Sequence, residues 1–141
     1  MAPHATLKPT RPDLRRSEEG QPDNVGKKRW PVSKSSLGEF EKLVMLAVLR
    51  LGSEAYGATI IEDLEERTLR TVSAGAVYVS LRRLEKKELV RSHLGAPSPQ
   101  RGGRPKRFFS VTREGIEALR RAREDWMAMA RGLDEILGYS E

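Results

Sequence analysis

The pattern of apolar residues predicts a buried helix at the start of the ordered part of the chain. Apolar side chains are almost continuous from Leu43 to Leu49, which is typical of a helix enclosed at the centre of a small domain. Ser36 and Glu39 precede this run with the spacing of a capping box, and Gly52 follows it. We therefore expect order to begin at Ser36 and the first helix to span about Leu37 to Leu51.

Two further helices are expected after this one. The second, from about Tyr56 to Thr68, has an apolar face and an opposite face of acidic side chains. The third begins with Ser73 as N-cap and runs to about Glu88. Its core face carries Val77, Leu81 and Leu84, and its outer side and flanks carry Gly75, Tyr78, Val79, Arg82, Arg83 and Lys86. Three short helices, the third with a basic outer side, are typical of a helix-turn-helix.

A basic β-hairpin is predicted directly after the third helix. Strand patterns at Leu89 to Leu94 and Lys106 to Val111 flank a segment rich in glycine, proline and arginine. A hairpin in this place is a wing. The stretch from Arg101 to Arg107 is also similar to the Gly-Arg-Pro core of an AT-hook, which lays an arginine along a narrow minor groove. Arg104 is accordingly expected in the minor groove, with Lys106 and Arg107 on phosphates.

The last part of the chain predicts one long helix, capped by Thr112 and reaching about Leu137. Its apolar residues alternate at spacings of three and four, which is typical of a coiled-coil seam: Leu119, Ala122, Trp126, Met129, Leu133 and Ile136. Pairing with a second copy of the chain is the economical interpretation, and packing back onto its own winged domain is the alternative. Trp126 either packs in this seam or stacks on a small aromatic effector.

The expected fold class is thus mainly α with a small β-hairpin wing. A winged helix-turn-helix domain at 37–112 is followed by a dimerisation helix at 113–141. Residues 1–36 contain five prolines and few apolar side chains, so we expect a disordered basic tail. Its lysines and arginines either attract phosphate nonspecifically or serve only solubility.

The distribution of charge is more informative than the net charge of +6. Residues 73–112 hold nine Lys or Arg against two Asp or Glu, a local charge of +7, whereas 37–72 carry −3 and 113–141 carry −2. Such asymmetry is typical of a face that binds a polyanion, here double-stranded DNA. A merely solvated basic surface is the alternative.

The residue inventory excludes several classes of function. The chain has no cysteine and only two histidines, His4 and His93, so we expect neither a metal site nor a cofactor. No phosphate loop or paired carboxylates suggest an enzyme. The longest apolar run is too short to span a bilayer, and the N-terminus has no apolar signal region. A cytoplasmic protein without membrane contact is expected.

Four stretches resemble the PadR family of bacterial transcriptional regulators, over a region from Leu37 to about Leu137. They are LAVLRLGSEAYG from Leu46, GAVYVSLRRLEKKELV from Gly75, GGRPKRFFSV from Gly102 and TREGIEAL from Thr112. The resemblance implies a homodimer, usually a repressor that binds an inverted repeat in a promoter. It also implies that a small aromatic molecule between the subunits releases DNA in some members.

The chain departs from the family pattern in two places. Many members have Gly-Thr-Leu-Tyr-Pro where this chain has Gly75-Ala76-Val77-Tyr78-Val79, which leaves the DNA sequence preference open. Many also have glycine where Glu88 stands, and the glutamate is expected to lengthen the third helix slightly.

Each exposed residue of the third helix has an expected role on DNA. Ser73, Ala74 and Gly75 permit close approach, and Gly75 suggests tight packing against either DNA or the second helix. Arg82 is the strongest candidate for reading a base, because arginine can donate two hydrogen bonds to guanine. Val79 would contact a thymine methyl group. Arg83, Lys86 and Lys87 would hold phosphates or remain solvated, and Tyr78 either contacts the DNA backbone or is a core aromatic.

Two other functions use the same fold. A winged helix can dock an acidic protein partner, and a basic tail and wing can bind DNA nonspecifically as an architectural protein. A two-fold dimer that reads a two-fold site accounts better for the long seam.

Overall fold

The helices and strands follow the predicted order. The computed structural model describes residues 37–97 and 102–138. In chain order the elements are α1 (Glu39–Leu51), a single 3-10 turn (Gly52–Glu54), α2 (Gly57–Thr68), α3 (Ala74–Lys86), β1 (Val90–Leu94), β2 (Arg107–Val111), α4 (Arg113–Ala130) and α5 (Asp134–Leu137). β1 and β2 pair antiparallel, with Val90 opposite Val111 and Leu94 opposite Arg107. The predicted mainly helical fold with a hairpin wing is confirmed. The predicted tail (1–36) and Arg101 lie outside the described residues.

α1 runs through the centre of the core but is not enclosed on all sides. Val44, Met45, Ala47 and Val48 are buried against α2, α3 and the wing. Its residues Leu46 and Leu49 are exposed, however. The expectation of a helix buried all round was therefore wrong on one side, because two short helices and a hairpin cover only part of the circumference of a third.

The start of α1 is capped by a different glutamate from the expected one. The backbone N–H of Gly38 donates to Glu41 Oε1 at 2.9 Å, and the helix begins at Glu39 rather than Leu37. Glu41 is only 6% exposed and also accepts a hydrogen bond from Lys87 Nζ at 3.0 Å. Lys87, expected on phosphate or in solvent, therefore ties the end of α3 to the start of α1.

α3 begins as expected and ends earlier than expected. Ser73 Oγ accepts the N–H of Ala76 at 3.1 Å, which confirms the N-cap. The helix ends at Lys86, and Glu88 adopts a left-handed backbone with φ of 64°. The expectation that Glu88 lengthens the helix was wrong, since this conformation reverses the chain into β1. Glycine suits such a position because it has no Cβ to strain.

α4 begins on the winged domain and extends past it. Thr112 Oγ1 accepts the N–H of Gly115 at 3.0 Å, and a Cβ on Gly115 would collide with the carbonyl oxygen of Leu89. Only glycine lets the helix approach the strand so closely. The expected continuous helix to Leu137 is interrupted, because α4 ends at Ala130 and Gly132 is left-handed with φ of 86° before α5 starts.

Candidate nucleic-acid interface

The outer side of α3 and the base of the wing form one basic surface. The predicted DNA-contacting residues of α3 and its N-cap are all exposed: Ser73, Ala74, Gly75, Tyr78, Val79, Arg82, Arg83 and Lys86. On the wing, Arg104 and Arg107 are exposed and Lys106 is partly buried. Within the described residues no ion pair engages Arg82, Arg83 or Lys86, so their positive charges remain available to a polyanion.

A groove between α3 and the wing brings four of the predicted residues together. It has a volume of about 390 Å³, with Leu81 and Phe109 among its lining residues. The predicted residues that line it are Tyr78, Arg82, Lys106 and Arg107. The other predicted residues lie on the exposed surface outside the groove. They are Ser73, Ala74, Gly75, Val79, Arg83, Lys86 and Arg104.

Tyr78 lies across the start of α2. Tyr78 is 45% exposed, and a Cβ on Gly57 would collide with its hydroxyl group. The tyrosine is therefore not part of the hydrophobic core, and its hydroxyl group lies against Gly57 in the N-terminal turn of α2. This placement leaves the ring and hydroxyl open to the groove.

Gly75 is not required by packing within the protein. A Cβ added there would meet only Ser73 Oγ, at an ordinary contact distance of 3.6 Å. Of the two packing partners considered for Gly75, α2 is therefore excluded, and close approach to DNA stays a prediction.

Lys106 is supported by an aromatic cluster that the sequence did not indicate. Its Nζ lies over the ring of Tyr56, 4.3 Å from the ring centroid, in a cation–π arrangement. Tyr56 in turn meets Phe108 edge to face, with centroids 5.4 Å apart. These contacts join the base of the wing to the residue that caps α2, and they hold the Lys106 ammonium group at the groove.

Arg107 is held by two linked hydrogen bonds that the sequence analysis did not predict. Its Nη1 donates to Ser92 Oγ at 3.1 Å, and Ser92 Oγ donates to Glu85 Oε2 at 2.6 Å. The alternation of strand residues indicates only that Ser92 shares a wing face with Val90 and Leu94. Nothing local indicates that this face meets Glu85 of α3.

The predicted seam divides into a packed part and an exposed part. Leu119 packs against the core of its own domain and Ala122 is partly buried. Trp126 is 60% exposed and Met129 79% exposed. Leu133 and Ile136 are also exposed, beyond the break at Gly132. The alternative of a helix packed back on its own domain therefore holds for the first turns of α4 only.

The described residues form neither a metal-binding cluster nor a membrane-spanning helix. No cluster of three or more His, Asp or Glu that could hold a metal ion occurs within residues 37–97 and 102–138. Over this same part of the chain, no helix combines the length and apolarity that a membrane span requires.

The fold is similar to that of several solved transcriptional regulators. A PadR family regulator from Eggerthella lenta is 28% identical, with a TM-score of 0.54 over 70% of this chain and 84% of that chain. A PadR-like transcription factor from Bacteroides fragilis is 26% identical, with a TM-score of 0.56 over 69% and 88% of the respective chains. A PadR family regulator from Clostridium difficile is also 26% identical, with a TM-score of 0.54 over 68% and 98%.

A comparison with curated proteins found no match. The family model for the transcriptional regulator PadR-like family, in contrast, matches residues 45–121. This match spans more than half of the 141 residues, from the core of α1 through α3 and the wing into α4. It places the chain among regulators of transcription rather than enzymes, as the residue inventory predicted. The protein therefore belongs to the PadR-like family of transcriptional regulators.

Proposed function

We propose that the protein is a dimeric repressor that binds an inverted repeat in a promoter. The observation that carries this proposal is the groove in which Tyr78 and Arg82 of α3 face Lys106 and Arg107 of the wing. A recognition helix reads base edges while a neighbouring wing holds phosphates or a minor groove. An exposed, basic surface built from both elements fits this division of work. Binding to chromosomal DNA would place the protein in the cytoplasm.

Arg82 is the proposed base-reading residue. It is exposed on the outer side of α3, one turn beyond Tyr78, and an arginine side chain can donate two hydrogen bonds to guanine. Val79 beside it offers an apolar contact to a thymine methyl group. Arg83, Lys86, Lys106 and Arg107 would neutralise phosphates, and Arg104 would enter the minor groove at the tip of the wing. Ser73, Ala74 and Gly75 would allow the backbone to approach the DNA closely.

Dimerisation through the C-terminal helices is the second part of the proposal. Trp126 and Met129 are large apolar side chains that stay mostly exposed within the described part of their own chain. Burying them against a second copy would remove apolar area from water and set two recognition helices in two-fold symmetry. Leu133 and Ile136 of the segment after Gly132 would extend this interface, and Leu119 and Ala122 would form its end next to the winged domain.

A small aromatic effector near Trp126 is the proposed regulatory ligand. The indole ring is exposed, and its flat face suits stacking on another ring. In a dimer the two rings would lie within one interface, so a ligand that separates or rotates the helices would alter the spacing of the recognition helices.

Selection from a random pool of double-stranded DNA at physiological salt tests the proposal. Recovery of an inverted repeat with half-sites about one helical turn, roughly 34–36 Å, apart is the expected result. Retention without a shared motif and with steep salt dependence would instead support an architectural DNA-binding protein. Absence of retention would support a docking module for an acidic protein partner.

Replacement of Arg82 by alanine tests the assignment within the site. Arg82→Ala should weaken binding to the selected sequence by about 1–3 kcal/mol and relax the preference at one base position. Lys86→Ala should weaken binding to all sequences alike, because a phosphate contact carries no sequence information. Arg123→Ala, an exposed arginine on the distal part of α4, is the matched control. Equal losses on selected and random DNA with Arg82→Ala would contradict the base-reading role.

A further inference from the structure

A single hydroxyl group connects the wing to the recognition helix. Ser92 of β1 accepts a hydrogen bond from Arg107 of β2 and donates its own proton to Glu85 of α3, at 3.1 and 2.6 Å. A serine hydroxyl has one proton to donate and lone pairs to accept, so both bonds can exist at once. The chain of bonds therefore runs from the guanidinium group through the hydroxyl group to the carboxylate.

The hydroxyl group keeps the two charged groups from pairing directly. No ion pair between Arg107 and Glu85 is present among the described residues. A direct pair would occupy two guanidinium donors in a fork, whereas the bond to Ser92 uses one of five. Arg107 remains exposed at the groove and can still donate to a phosphate while its orientation is restrained.

We propose that Glu85 and Ser92 are positioning residues that hold Arg107 at the groove for contact with DNA phosphate. The inference rests on the proposed function, because it concerns how that DNA-binding surface is assembled. The restraint reduces the side-chain entropy that Arg107 would otherwise lose when it binds a phosphate. It also ties the wing to α3, since the bond from Ser92 to Glu85 crosses from β1 to the helix while the bond from Arg107 to Ser92 joins the two strands.

For the removal of the Glu85 carboxylate, the proposal and net electrostatics predict opposite changes in DNA affinity. Glu85 is an acidic residue that lines the groove of the proposed DNA-binding surface. Removing a negative charge there should strengthen DNA binding if electrostatics alone decides. If Glu85 positions Arg107, Glu85→Ala should weaken binding instead.

The test compares the affinity of the full chain for its selected DNA among five variants. Glu85→Ala and Ser92→Ala should each weaken binding about 3- to 10-fold, the range expected for one interaction of this kind. Glu85→Gln retains an oxygen that can accept from Ser92, so its affinity should equal or exceed that of the wild type. Ser110→Ala, an exposed serine of β2, and Glu62→Ala, an exposed glutamate of α2, are the matched controls and should cause no loss.

A double-mutant cycle separates positioning from a general structural role. In the background of Arg107→Ala, the further change Ser92→Ala should cause no additional loss, because the group that it positions is absent. Independent, additive losses would overturn the proposal, as would an increase in affinity with Glu85→Ala equal to that with Glu62→Ala. Thermal unfolding of each variant checks that the fold is retained.

A measurement without DNA distinguishes this inference from the proposed function. Nuclear magnetic resonance relaxation of the Arg107 Nε–H group should report a restrained side chain in the wild type and Glu85→Gln. The same group should be mobile in Glu85→Ala, where no carboxylate orients the Ser92 hydroxyl group, and in the double variant with Ser92→Ala, where no direct pair with Glu85 can replace the lost bond. Equal mobility in all variants would overturn the positioning role even if DNA binds, whereas a restrained Arg107 in a protein that retains no DNA would overturn the proposed function.

Discussion

The winged domain buries its apolar side chains, whereas the distal part of α4 exposes similar ones. Val44, Met45 and Ile60 are completely buried in the domain core, whereas Trp126 and Met129 are 60% and 79% exposed. Both sets recur at helical spacing, so periodicity alone does not separate them. The core is therefore complete within one chain, whereas the distal face of α4 needs a surface from outside the described residues to become buried.

The change from buried to exposed side chains occurs within α4. Gly115 and Ala118 are buried on the winged domain, Leu119 and Ala122 are partly buried, and the side chains from Arg123 to Met129 are exposed. The first turns of α4 are therefore part of the folded domain. The later turns are available to set the geometry of a dimer.

A substitution in the core of the winged domain should have the largest effect, which falls on the free energy of unfolding. Leu84 is fully buried on α3, so Leu84→Ala leaves a cavity and should lower the free energy of unfolding by about 2–5 kcal/mol. Denaturant unfolding measures the change. Met127→Ala on the exposed part of α4 should change the same quantity by less than about 0.5 kcal/mol. A similar loss for both variants would mean that the two regions do not differ as described.

A substitution in the exposed seam should act on association instead of folding. Trp126→Ala is expected to weaken dimerisation by about 10- to 100-fold, because tryptophan is enriched among the interface residues whose truncation costs about 2 kcal/mol or more. Analytical ultracentrifugation over a range of concentrations measures it. Met127 lies off the seam on the same helix, so Met127→Ala should leave association unchanged. A wild-type chain that is monomeric at all concentrations would contradict the dimer.

The smallest expected effect concerns the turn where the recognition helix gives way to the wing. Glu88 has a left-handed backbone with φ of 64°, a conformation that destabilises the folded state by about 1–2 kcal/mol for an L-residue. Part of any gain from glycine is offset by the greater entropy of its unfolded state. Glu88→Gly should therefore raise the free energy of unfolding by about 0.5–1 kcal/mol. Glu88→Ala removes the same carboxylate but keeps the strain, so a gain as large as that with glycine would refute the explanation.

Much of the fold was predictable because its signals are local. The N-caps Ser73 and Thr112 were both placed correctly, since an N-cap hydrogen bond joins residues three positions apart. The antiparallel hairpin and the order of the helices also follow from periodicity and turn residues. The interruption at Gly132 was missed, because one glycine inside an apolar pattern does not by itself reveal a left-handed backbone.

The charged residues of the candidate site could be predicted from the sequence, but the residues that hold them in place could not. The sequence placed Arg82 and Arg107 on a basic surface, and both are exposed there. It did not show that Tyr56 lies under Lys106 or that Ser92 joins Arg107 to Glu85. These partners lie on different elements, and which elements face each other depends on the packed core.

The sequence alone was enough to predict the order of the helices and strands, the N-caps Ser73 and Thr112, the basic segment at 73–112 and the family resemblance. Each of these depends on residue type and on spacings of a few positions. Packing between distant segments accounts for the pairing of Lys87 with Glu41, 46 residues away, for the exposed side of α1, and for the departure of α4 from the domain after its first turns. Contacts between distant residues arise when separate elements pack, and no local pattern records which partner each surface will meet.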